Sequence, residues 1–242
     1  MGGVKPKQIL EVLLLARGRP VSKDRIAEML WGETPPRNIS ATLETYVSVL
    51  RGKLGGGGRK HAVIVTDHEA YRLNCDVARL DLDVFDDLTE RARGAAHHVA
   101  RTELLEEAVA MIRGELLEDE PYADWVEPSR TTYRGRVVEV LLELATTALE
   151  TGAGGEAIAR AEMALAIDPL DERVLRVCML AYHGAGRTHE AVRAYRRSEE
   201  LWRREFDLHF DPATQRLLEL IRARAGMGEL LPSLATVGHA AA

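Results

Sequence analysis

Across residues 38–54, NISATLETYVSVLRGKL, apolar side chains recur at Ile39, Leu43, Tyr46, Val47, Leu50 and Leu54. At the helical repeat these positions fall on one face, which predicts an amphipathic helix. The opposite face carries Asn38, Ala41, Thr45, Ser48 and Gly52, with Thr42 and Val49 at its margin, and none of these is bulky. Two shorter helical patterns come first. Pro6–Ala16 places Ile9, Leu10, Val12, Leu13 and Leu14 before the break Arg17-Gly18-Arg19-Pro20. Ser22 then suits the N-cap of a helix through Arg25, Ile26, Met29 and Leu30, closed by Trp31-Gly32. Glu33 to Arg37, containing Pro35-Pro36, is a rigid loop before the long helix. After the Gly55–Gly58 turn, the runs Ala62–Thr66 and Tyr71–Leu73 read as strands flanking a hairpin loop at Asp67–Ala70. Three helices followed by a hairpin is the order of a winged helix, whose third helix enters the major groove.

From Ala78 onward the pattern is almost entirely helical, and it repeats. Ala148, Gly152, Ala157, Ile158 and Ala161 recur 34 positions later as Tyr182, Gly186, Ala191, Val192 and Tyr195. Each glycine sits in a short turn, and Glu156 and Glu190 precede the repeated alanines. A 34-residue period with small residues at helix crossings is the mark of tetratricopeptide helix pairs. Further helices near Ala100–Arg113, Thr132–Thr147 and Ala213–Ala225 extend or cap the stack. The expected fold class is therefore mainly α: a winged helix-turn-helix in residues 1–77, a tetratricopeptide-like all-α domain in 78–226, and a flexible tail in 227–242.

The net charge of −6 argues at first against a polyanion partner. The average conceals a split. Residues 1–80 hold 13 Lys and Arg against 8 Asp and Glu, while residues 81–242 hold 19 against 30. A basic front and an acidic back suit a polyanion-binding module joined to one with another task. Amphipathicity alone leaves the 38–54 helix free to pack its small face on another element. The charge split and the element order turn the reading towards a groove helix, with Arg37, Arg51 and Lys53 on phosphates, Asn38 at the entry, and Thr42, Thr45 and Ser48 towards base edges. Arg59, Lys60, His61, His68 and Arg72 supply wing-side charge.

Other chemistry finds little support. The Gly55–His61 run lacks the spacing of a phosphate loop, and no nucleophile or zinc-binding pattern occurs. Neither an enzyme nor a cofactor or metal site is expected. Cys75 and Cys178 lie about a hundred residues apart and read as small, partly buried hydrophobes. The acidic cluster Glu115, Glu118, Asp119 and Glu120 reads as a solvated face or loop. No 18-residue apolar run or secretory signal is present, so a membrane partner is not expected and a cytoplasmic, nucleoid-associated protein is.

The order PKQILEVLLLARGRPVSKDRIAEMLWGETPPRN, then TLETYVSVLRGKLG and IVTDHEAYRL, resembles the OmpR/PhoB-type winged helix of the Streptomyces antibiotic regulatory proteins. The segments DLDVFDDL, RGELLED with Trp125, AIARAEMALAIDPLDERVLRVCMLAYHGAGRTHEAVRAYRR and DPATQRLLELI resemble the bacterial transcriptional activator domain that follows it in that family. The resemblance implies an activator, often of secondary-metabolite genes, that binds double-stranded promoter direct repeats as side-by-side protomers, a homodimer on DNA. It also implies contact with RNA polymerase, including its sigma subunit, through the loop holding Glu33, Thr34, Pro35 and Pro36. Two departures from the family pattern stand out. The small sheet that usually precedes the first helix is missing or cut off, and Ala70 stands where a wing glycine is usual. Two alternatives stay open: a repeat-type interaction or ligand-sensing regulator with weak or lost DNA binding, and a ligand-controlled repressor of the same fold.

Overall fold

The computed structural model describes residues 4–55 and 62–232. The chain divides into two compact units, Met1–Asp86 with Ala123–Trp125, and Asp87–Tyr122 with Val126–Ala242.

The first unit contains α1 (Val4–Ala16), β1 (Val21–Ser22), α2 (Lys23–Trp31), α3 (Ile39–Leu54), β2 (Ile64–Asp67) and β3 (Ala70–Leu73). Its core gathers Ile9, Val12 and Leu13 of α1, Ile26 and Leu30 of α2, Leu43, Val47 and Leu50 of α3, and Ile64 and Tyr71 of the hairpin. These lie three and four residues apart on each helix, and each full burial contributes about 1.5–3 kcal/mol relative to exposure. Ile39 and Tyr46 are half-buried against this core. Leu54, expected on the same face, is 38% exposed because it ends the helix beyond the last core contact. Both long caps follow their sequence signals. The Ser22 hydroxyl accepts from Arg25 N–H, and Gly32, at φ 53°, closes α2 by donating to Glu28 O.

The sheet has three strands in the order β1-β3-β2. The hydrophobic pattern predicts only the hairpin. Val21 and Ser22 add an antiparallel strand to β3, opposite Tyr71 and Ala70. The register places Tyr71 and Leu73 inward, and a one-residue slip would put Ala70 and Arg72 there instead. The left-handed residue of the hairpin turn is His68, at φ 51°, whereas Ala70 is an ordinary strand residue. The substitution of alanine for glycine at position 70 therefore meets no conformational obstacle.

The second unit carries α4, which begins at Asp81 in the first unit and runs to Gly94, then α5 (His98–Ala110), α6 (Glu127–Glu150), α7 (Gly154–Ile167), α8 (Glu172–Gly184), α9 (Thr188–Phe206), α10 (Pro212–Arg222) and α11 (Met227–Leu230). Helix α6 packs on α7, α7 on α8, and α8 on α9, and the first helices of the two pairs, α6 and α8, also touch. The repeat is visible in single hydrogen bonds. Ala153 N–H donates to Ala148 O at 2.8 Å and Gly152 N–H to Leu149 O at 3.3 Å. Thirty-four residues on, Arg187 N–H donates to Tyr182 O at 2.8 Å and Gly186 N–H to His183 O at 2.9 Å. Both glycines are left-handed, at φ 78° and 75°. Each turn is a Schellman cap in which glycine reverses the chain without a Cβ penalty.

Three expectations need revision. Glu120 is buried, and its backbone carbonyl, with those of Leu116 and Leu117, accepts from the buried Arg130 guanidinium. Glu115, Glu118 and Asp119 are exposed in a loop, as expected, and only Glu120 and the arginine the loop folds over depart from the sequence reading. Cys178 is buried, but Cys75 is exposed and not a core residue. Met227–Leu230, placed in the flexible tail, forms a helical turn whose Leu230 is fully buried. No helix of the described residues is long and apolar enough to cross a membrane.

Candidate nucleic-acid interface

Helix α3 starts where Asn38, in an extended conformation, turns its side-chain oxygen onto Ala41 N–H at 3.0 Å. The cap satisfies one of the orphan amides of the first turn. Burial of Leu43, Val47 and Leu50 fixes the helix rotation and leaves Ala41, Glu44, Thr45, Ser48 and Gly52 exposed along the other side. Thr45 Oγ1 donates to Ala41 O at 2.8 Å, and half-buried Thr42 donates to Asn38 O at 2.8 Å. In this arrangement each threonine shows solvent an acceptor oxygen and a methyl group rather than a donor. Arg37 is exposed before the helix, and Lys53 is exposed in its last turn. The loop Glu33, Thr34, Pro35 and Pro36 is tied back by Thr34 N–H to Trp31 O at 3.0 Å. Glu33, Thr34 and Pro35 are exposed and Pro36 is half-buried.

Arg51 behaves differently from the other cations. Its Nε donates to Ile64 O at 3.0 Å, and an Nη donates to Thr66 Oγ1 at 2.8 Å. Both acceptors lie on β2, the outer strand of the hairpin, so Arg51 fastens the wing to the last turn of α3. His68 is exposed at the hairpin tip, and half-buried Arg72 lies on the sheet face opposite Tyr71 and Leu73. Residues 56–61, and with them Arg59, Lys60 and His61, lie outside the described residues.

A second tie was not read from the sequence. Lys23 is buried, with Nζ 3.0 Å from Glu44 Oε1 and 3.1 Å from Glu69 Oε2. Its backbone N–H also donates to Glu69 O at 2.9 Å, and its ammonium lies 6.0 Å from the Tyr71 ring centroid. The hydrogen bond that Lys23 donates to Glu44, followed by that to Glu69, holds the amine above its ordinary pKa, so Lys23 stays charged. One lysine at the start of α2 thereby links the middle of α3 to the turn of the hairpin. An exposed glutamate on a prospective groove face gives no local signal of its function, because its partner lies 21 residues upstream.

In the second unit α5, α6 and α7 border an open cavity of about 220 Å³ lined by residues including Thr102, Glu106, Leu144, Thr147 and Arg160. Glu106 and Arg160 are ion-paired across it. His183 is held by Thr188 Oγ1 and Ala225 O, a structural role. Among the described residues no group of three or more His, Cys, Asp or Glu is placed to hold a metal ion.

A winged three-helix unit that presents a small polar helix face, followed by stacked helix pairs, has the layout of a transcriptional regulator. Residues 3–73 match the model of the transcriptional regulatory protein C-terminal family, and residues 80–222 match the bacterial transcriptional activator domain. The chain belongs to the Streptomyces antibiotic regulatory protein family of transcriptional regulators. It is 31% identical over 248 residues to the regulatory protein AfsR of Streptomyces coelicolor, covering 99% of this chain and 24% of that protein. It is 26% identical to the regulatory protein DnrI of Streptomyces peucetius, covering 98% of this chain and 92% of the relative. A solved structure of Mycobacterium tuberculosis EmbR, in complex with a low-affinity phosphopeptide, superposes with a TM-score of 0.80 at 26% identity, covering 97% of this chain and 63% of that one. The chain spans about a quarter of the length of the AfsR proteins it matches. These relatives are named as regulators, not enzymes.

Proposed function

We propose that the chain is a sequence-specific DNA-binding transcriptional activator, acting at the nucleoid in the cytoplasm, that binds promoter direct repeats as side-by-side protomers. The observation that carries this reading is the exposed face of α3. It is narrow and polar, with Arg37 and Lys53 at its two ends and a hairpin fastened beside it. A major groove admits a helix of this kind, short side chains reach base edges, and flanking cations hold phosphates. Arg37, Lys53, Arg51, His68 and Arg72 serve the phosphates; Asn38, Thr42, Thr45 and Ser48 serve the bases. The exposed Glu33–Pro36 loop stands on the same unit and meets RNA polymerase, including its sigma subunit. Secondary-metabolite genes are the expected targets, in keeping with the family.

The test is fluorescence anisotropy on the DNA immediately upstream of the coding region, measured across a salt series. Binding should weaken linearly in log–log form, and Lys53→Ala should lower the slope by about one while weakening all sequences alike. Transcription with purified polymerase should rise on addition of the protein. A chain with no salt-dependent affinity for any duplex is instead a protein- or ligand-binding regulator, for which the α5–α7 cavity is the place to look.

A further inference from the structure

We propose that Glu44 reads the exocyclic amine of a cytosine in the major groove, with Lys23 as the positioning residue that makes a carboxylate usable there. The inference rests on the DNA-binding reading of α3. Glu44 lies between Ala41 and Ser48 on the exposed face, next to Thr45, and its side chain is 61% exposed. A bare carboxylate there would be repelled by the phosphates, which line duplex DNA at about one charge per 1.7 Å. Lys23 reduces that repulsion. Its buried ammonium is 3.0 Å from Glu44 Oε1 and is shared with Glu69 Oε2 at 3.1 Å, so part of the charge is compensated from the protein side. Oε1 is engaged, and Oε2 is left to accept.

The lysine is itself held by a second residue. Glu69 of the hairpin takes a second of its hydrogens at 3.1 Å, and its backbone N–H is bound to Glu69 O. Glu44 is therefore tethered at one oxygen to a buried partner, which distinguishes it from an ion pair exposed on both sides. Two bases offer a donor in the major groove. Adenine sets its N6 amine beside the N7 acceptor, which repels a carboxylate, whereas cytosine offers N4 without an acceptor beside it on the same base. The acceptor presented by Thr45 makes the whole patch complementary to base amines.

The experiment uses the full chain and a random-core duplex library. The selected site is then varied one base pair at a time, and binding to each duplex is measured by competition. The wild type should require cytosine at one position per protomer, with replacement weakening binding about 5- to 10-fold. Glu44→Ala should erase that preference and keep the others. Glu44→Gln, which adds a donor, should move the preference at that position towards adenine. Lys23→Arg should retain the cytosine preference and Lys23→Met should reduce it. Both Glu44 variants lie on the solvent face, so the decision does not depend on the Lys23 variants folding. Loss of affinity by one factor on all sequences in Glu44→Ala, or an unchanged cytosine preference, overturns the inference while DNA binding stands. A wild type that enriches no sequence overturns the DNA-binding reading with it.

Discussion

In the winged unit, the prospective DNA surface is aimed by side-chain bonds between residues far apart in sequence. Lys23 reaches Glu44 and Glu69, and Arg51 reaches Ile64 and Thr66. In the helical unit, the two helix pairs α6–α7 and α8–α9 are each turned by the same backbone pattern 34 residues apart, in which Gly152 or Gly186 donates one hydrogen bond and the following residue, Ala153 or Arg187, donates the other. The first arrangement can be altered by changing one charge and leaves the core intact. The second is shared by the α6–α7 and α8–α9 turns and changes only when the backbone does. A surface that must be tuned to different partners gains from the former, and a stack that must propagate one geometry gains from the latter.

The largest expected effect is an exception on the helical side. Arg130 donates to three carbonyls of the 116–120 loop and is buried. Arg130→Ala leaves those carbonyls short of partners and should destabilise the protein by roughly 3 kcal/mol in denaturant unfolding. A loss below about 1 kcal/mol would mean that water replaces the guanidinium and that the loop needs no side-chain anchor.

Next come the two glycines. At φ 78° and 75°, a Cβ meets no neighbouring atom within 4 Å at either, so conformational strain is the sole cost. Gly152→Ala and Gly186→Ala should each cost about 1–2 kcal/mol, equally within error, by the same unfolding measurement. Unequal losses would show that the two turns are not energetically equivalent despite their matched hydrogen bonds.

This contrast explains what the sequence disclosed. Helix α3 was legible because Leu43, Val47 and Leu50 keep the helical repeat, whereas the capping role of Asn38 came only with the structure. The helix pairs were legible because turn chemistry recurs at one offset. Strand β1 was not, since two residues carry no period and exist as a strand only through pairing with β3. The role of Glu44 is hidden for a related reason: an acidic side chain on a groove face looks misplaced without Lys23 beside it. The burial of Glu120 in the 115–120 loop was not legible because Arg130, which organises the loop, follows ten or more residues later. Wherever the cause of a conformation was local or periodic it could be read, and wherever it was a single long-range side-chain bond it could not.

The smallest effect on stability, and the sharpest test of the comparison, belongs to Arg51. Its bonds to Ile64 O and Thr66 Oγ1 are partly solvent-accessible, so Arg51→Ala should cost under about 1 kcal/mol. Its effect on DNA should be larger. A guanidinium carries five N–H donors, and two are used on β2, so the remainder can hold a phosphate at the same time. Arg51→Lys keeps the charge but cannot fork to both acceptors. The alanine variant should lower the salt slope by about one and weaken binding, because charge and tie are both lost. The lysine variant should weaken binding with the slope unchanged, because only the tie is lost. If Arg51→Lys binds as tightly as the wild type, the tie contributes nothing, and the wing is aimed by core packing of Ile64 and Tyr71 just as the helices are aimed by their turns.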